Sequence, residues 1–234
     1  MKTRTDSLID AFGDLNFTLS DFHRCCYQVP HGKRVFVHVP KTGGSSVHKL
    51  LLKHPSKLQF MNVSLKGCHR PVSRLHSPKD TFYFTIIRDP IERVWSYFNM
   101  VRHRWISHPY KEYAKIGLEY FLQHCWEARN QYIRYFSSFL LDEPGEYEYR
   151  IAITNLTHFE AVIDFNDFDN ELSRYCTKIG IYPGEQPVPH ANKSNYNAAN
   201  NEEKRLIAFY NRLDVNLYHQ WINSSKKSPF FEKF

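Results

Sequence analysis

Apolar residues along the chain fall into a few short, dense runs, each closed by proline, glycine or a charged turn, with longer stretches of helical spacing between them. Residues 34–39 (RVFVHV) form the first run, which stops at Pro40. A run so short, rich in valine and bounded by a breaker predicts a parallel strand buried on both faces. Gly43 and Gly44 follow, and then residues 45–52, whose two serines stand where a helix cap belongs. Residues 81–87 (TFYFTII) predict a second buried strand, ending at Arg88-Asp89-Pro90. Pro90 suits the first turn of a helix with Ile91, Val94, Trp95 and Phe98 on its apolar face. Residues 111–139 read as helix-rich and 161–165 (AVIDF) as a third strand. A last amphipathic helix carries Leu206, Phe209, Leu213, Leu217 and Trp221, with Asn200 and Glu203 as its capping box. Strands alternating with helices predict an α/β fold around a central, mostly parallel sheet, with the ligand at the carboxyl ends of the strands.

Composition narrows this picture. With 234 residues, 42% hydrophobic and 16% aromatic, the chain can bury a core, and no repeat or long linker divides it. The expected division is an extension at 1–30, one domain at 31–225 and a tail at 226–234. No apolar run approaches the length of a membrane span and the N-terminus lacks a signal-peptide core, so a cytoplasmic protein is expected. Cys25, Cys26, Cys68, Cys125 and Cys176 show no metal or disulfide spacing and are expected as thiols. The formal charge of +7 is uneven: residues 29–104 hold 14 basic side chains against three acidic ones, and the rest of the chain is net acidic. One third of the protein is therefore suited to anions.

The candidate chemistry lies in that third. Residues 39–46 (VPKTGGSS) follow the first strand, and their glycines, amides, hydroxyls and helix start make an anion cradle. The loop is not a Walker A motif, because Lys41 precedes both glycines rather than following the last. Arg88 would leave the tip of the next strand and Ser96 lies two turns into the following helix, where both could meet a second phosphate. Asp89 and Arg93 are expected to form a local ion pair.

The pair PKTGGSS and RDPIERVWSYF resembles the two nucleotide sites of sulfotransferases that use 3′-phosphoadenosine-5′-phosphosulfate (PAPS), including the Arg-to-Ser spacing of eight. GCHRPVSRL, LEYFLQHCWEARNQYIRYF, ANKSNY and LDVNLY extend the likeness, which is nearest to the carbohydrate 2-O-sulfotransferases and small bacterial members. The resemblance implies a P-loop-like three-layer fold and a PAPS donor that leaves as PAP. Lys41, Thr42, Gly43, Gly44, Ser45 and Ser46 would hold the 5′-phosphosulfate, and Arg88 and Ser96 the 3′-phosphate. Lys41 and His69 would be catalytic, the histidine as general base on an acceptor hydroxyl. Arg70, Asn130, Arg134 and Lys193 would bind the acceptor, a glycan, with no metal and no nucleic acid involved. Golgi members of this branch carry an N-terminal anchor, so a Golgi lumenal enzyme is the alternative if such an anchor was removed. A P-loop kinase-like phosphotransferase using ATP, or a non-catalytic polyanion-binding module, are the competing functions.

Overall fold

The computed structural model of the chain describes residues 34–47, 58–60, 82–104, 108–137, 143–180 and 196–225. Four strands form one sheet: β1 (Arg34–Val37), β2 (Leu58–Phe60), β3 (Phe82–Ile87) and β4 (Ala161–Asp164). Their order is β2-β1-β3-β4 and every pairing is parallel, with Phe36 beside Phe84 and Ile86 beside Ile163. The chain thus leaves β1 to one side for β2 and returns on the other side for β3. The gap between β1 and β3 is the point where strand order reverses, and ligands of open α/β sheets bind outside the carboxyl ends of strands at such points.

Side chains alternate across the sheet as the pleat requires. Val35, Val37, Tyr83 and Ile87 face one layer, where α4 (Gln131–Ser137), α5 (Glu146–Leu156) and α8 (Arg212–Ser225) supply Tyr132, Phe136, Leu156 and Leu217. Phe36, Phe84, Ile86 and Ile163 face the other layer, where α6 (Phe168–Lys178) supplies Phe168, Leu172 and Tyr175. A third apolar cluster joins α1 (Pro90–His103), α2 (Lys111–Ile116), α3 (Leu118–His124) and α7 (Asn201–Tyr210) through Phe98, Val101, Phe121 and Ile207. The fold is therefore three-layer α/β, as the sequence predicts, with a helical cluster grown around α1.

Several elements differ in detail from expectation. β1 ends at Val37, because the chain turns immediately afterwards: the Thr42 hydroxyl donates to the Val39 carbonyl at 2.8 Å and Lys41 takes a left-handed φ of 71°. The serines do not cap, since the helix already begins at Gly44 and they fall inside its first turn. β2 is three residues long, too short to show a period. The helix-rich stretch resolves into α2, α3, a 3₁₀ turn at Trp126–Ala128 and α4, parted at Gly117 and by extended residues at Cys125 and Arg129. The single C-terminal helix is two, broken at Asn211, and Phe209 is 72% exposed rather than buried. The Asn200–Glu203 capping box and Pro90 at a helix start are both present. Cys125 and Cys176 are free and buried. Among the described residues, no helix is long and apolar enough to cross a membrane.

Candidate active site

Two loops meet at the carboxyl ends of β1 and β3. The first is tightly wound: Ser46 and Val47 N–H groups both point back to the Gly43 carbonyl, at 3.0 and 3.4 Å. Gly43 has a φ of 90°, and a Cβ there would come within 3.2 Å of Phe168 and 3.3 Å of Phe165. A Cβ on Gly44 would stand 1.9 Å from His38 Nε2, inside the ring's own volume. The glycines are thus demanded from below, by packing. Thr42 and Ser46 are buried and Ser45 is exposed.

The second loop carries Arg88. Its guanidinium lies 4.7 Å over the Phe165 ring, reaches the Lys41 carbonyl at 3.4 Å through Nη1, and pairs with Glu92 at 3.1 Å. Phe165, the residue after β4, is therefore a common floor for Gly43 and Arg88. Asp89 does not pair with Arg93. Its Oδ1 accepts the N–H groups of Ile91 and Glu92 at 2.8 and 3.0 Å, as a helix N-cap. Arg93 turns inward instead and meets Asp214. The local pair fails because a capping carboxylate points along the helix axis and Arg93 faces the core.

Lys41 reaches across to α1, where its Nζ lies 3.7 Å from the Met100 sulfur. Burial lowers its pKa, and the charges of Arg88 and Arg104 lower it further. Three cations gathered at one strand end repel one another unless an anion joins them. Ser96, 7% exposed, is one turn before Met100 on the same stripe of α1. A left-handed, non-glycine Lys41 costs about 1–3 kcal/mol, and such strain gathers at functional sites.

Beyond the loops, the segment ahead of α7 lies across α1. Trp95 Nε1 donates to the Asn197 carbonyl at 2.7 Å, His103 stacks on Tyr196 at 5.5 Å, and Arg104 sits over the same ring at 5.4 Å. Asn130 and Arg134, expected on the acceptor side, are committed inside the protein. Asn130 serves the α8 N-terminus and Glu143; Arg134, 1% exposed, holds the Arg129 carbonyl and Glu143 and covers Trp126. His69, Arg70 and Lys193 lie outside the described residues. Phe165, Met100 and Tyr132 were not foreseen. A residue at a strand's carboxyl end was the one available signal, and it applied to Phe165 alone.

Fold and site together define an α/β protein whose glycine-containing loop and Arg88 meet at the topological switch point. Among the described residues no group of three or more His, Cys, Asp or Glu could hold a metal. The Sulfotransferase family model matches residues 28–177, which span both loops, the sheet and most of α6; the chain belongs to that family. No curated protein matches it. The protein is thus a transferase that moves a sulfuryl group between a donor and an acceptor.

Proposed function

We propose that the donor is PAPS and the acceptor a hydroxyl of a carbohydrate. The observation that supports this best is the convergence of the Lys41 loop and Arg88 on one spot, where Lys41, Arg88 and Arg104 outnumber the one carboxylate paired with Arg88, Glu92. The cradle at residues 42–46 takes the 5′-phosphate, and Arg88 with Ser96 takes the 3′-phosphate. Sulfuryl transfer asks for in-line placement and charge stabilisation rather than covalent help from the protein. Lys41 stands where negative charge grows on the leaving phosphate oxygen as the sulfur–oxygen bond breaks. His69 accepts the proton of the attacking hydroxyl; a neutral imidazole near pH 7 suits that task. Arg70 and Lys193 bind the acceptor, and Trp95 offers a ring face to a sugar.

A kinase-like reading requires a carboxylate free to hold Mg²⁺ at the end of β3. Asp89 is occupied as a cap there, which favours the sulfotransferase reading. The test is transfer of label from PAPS to a panel of glycans, phenols and steroids. Label is expected on a glycan with the wild type, falling about 10²–10⁴-fold with His69→Ala while donor affinity is kept. Label on a phenol or steroid alone would remove the glycan acceptor, and full activity in the variant would place the base elsewhere.

A further inference from the structure

Arg93 is fully buried, yet its Nε, Nη1 and Nη2 meet no hydrogen-bond acceptor among the described residues. Its charge is answered across 3.8 Å by Asp214 Oδ2, which is equally buried. Its guanidinium carbon lies 5.5 Å from the centre of the Tyr132 ring. Desolvating two charges offsets most of what such a pair gains by attraction, so the pair is a poor stabiliser. Its geometry shows what it holds.

Asp214 accepts the N–H groups of Tyr132 and Ile133 at 3.0 and 3.1 Å, which are orphan donors of the first turn of α4. Tyr132 is itself fully buried, its ring stacked on Phe136 with the planes 2° apart. At the far end of that ring the hydroxyl accepts from the Arg88 N–H at 2.8 Å and donates to the Arg88 carbonyl at 2.7 Å. One phenol therefore ties both main-chain polar groups of the residue at the strand tip. The Arg88 side chain is held less firmly: its bond to the Lys41 carbonyl is long, and its partner Glu92 has a side chain 60% exposed.

We infer that Tyr132, seated by the Arg93–Asp214 pair, is a positioning residue for Arg88 and so sets how well the protein tells a 3′-phosphorylated nucleotide from one without that phosphate. This rests on the donor assignment above. The Tyr132 hydroxyl fixes the peptide from which the Arg88 guanidinium extends, and a loosened peptide spreads the guanidinium over several orientations. The cradle amides take no part in the Tyr132 linkage, which reaches the first loop only through the long Arg88 Nη1 bond to the Lys41 carbonyl.

Tyr132→Phe removes the hydroxyl and keeps the packed ring. Binding of PAP and of 5′-AMP is measured by calorimetric titration for both proteins. The wild type is expected to favour PAP strongly. In the variant, PAP binding falls about tenfold, with 5′-AMP binding unchanged. The donor KM rises while kcat is kept. A variant that melts lower but keeps the wild-type preference for PAP has lost only stability, and overturns the inference. A wild type that binds both nucleotides equally overturns the donor assignment and the inference together. The double variant Arg93→Met/Asp214→Asn removes both charges at once and is expected to lose the same preference. If it keeps that preference, the pair has no part in seating Tyr132.

Discussion

His38 and Gly44 share a space that holds only one side chain. The His38 ring stacks on Phe36 at 5.4 Å, and its Nε2 stands 1.9 Å from where a Cβ on residue 44 would sit. Residue 44 is helical, so by intrinsic preference alanine there would gain about 1 kcal/mol over glycine. Steric overlap at that distance costs about 1–3 kcal/mol, because the ring must leave its stacked position or the loop must lift. The clash wins. Gly44→Ala is expected to lower stability in urea titrations, whereas in a His38→Ala background the same substitution changes sign and stabilises. If Gly44→Ala is equally harmful in both backgrounds, the His38 contact is not what requires the glycine. At this scale the chain is only half legible: two adjacent glycines after a valine run announce a loop, but nothing local says that a histidine six residues earlier lies beneath one of them.

Two helices begin by capping each other. Asn130 Oδ1, just before α4, accepts from the Leu213 and Asp214 N–H groups at 3.2 and 3.4 Å, in the first turn of α8. Asp214 returns the service to the first turn of α4, and Asn211 Oδ1 accepts from the Asn130 N–H at 2.9 Å. Asn130 also has a φ of 46°, a conformation that asparagine tolerates better than alanine. Asn130→Gly is expected to cost about 1–2 kcal/mol from the lost cap, and Asn130→Ala about 1 kcal/mol more from backbone strain. Equal losses in denaturant titrations would leave the cap as the whole effect. This reciprocal capping explains why the expected C-terminal helix breaks at Asn211, and why an Asn that resembled an acceptor ligand is structural. Local signals did identify elements whose determinants are local: Pro90 at N1, Asn200 with Glu203, and the two valine- or aromatic-rich strand runs. The partners of Asn130, Arg93 and Tyr132 lie far along the chain, where spacing carries no information about them. Lys41 and Arg88 were readable because each sits within a contiguous segment at a strand end, and the parallel order of β1 and β3 brings two such ends together without further instruction.

Among the described residues, the basic side chains of residues 29–104 do not gather in one place. Arg34 is bound through three hydrogen bonds to Glu160 at the opposite end of the sheet from the loops, Arg93 is interior, and Lys41, Arg88 and Arg104 interact at the proposed donor site. Burial also displaces titratable groups in the cluster around α1. There the Tyr110 N–H donates to His108 Nδ1 at 3.2 Å, so the ring carries its proton on Nε2 and donates to the Tyr97 hydroxyl at 3.1 Å; Tyr97 in turn donates to Glu127. Burial lowers the His108 pKa to about 4, against an ordinary value of 6.5. The unfolded chain therefore binds a proton at this residue as pH falls below about 6.5, while the folded protein does not until about pH 4. Stability contributed by neutral His108 is complete above pH 6.5, declines across that window and is constant below it. Among the described residues three groups oppose this: burial raises Asp214 to about 6 and raises Glu127 and Glu171, so their protonation favours the folded state as acid is added. The His108 contribution is isolated by comparison with His108→Gln, which supplies an acceptor and a donor without titrating. The difference in unfolding free energy between the two proteins is expected to be flat from pH 8 to 6.5. It should then move against the wild type by a total on the order of 3 kcal/mol by pH 4. A difference independent of pH would mean that His108 takes up its proton in the folded state as readily as in the unfolded chain, and that the Tyr110–His108–Tyr97–Glu127 chain tolerates the charge.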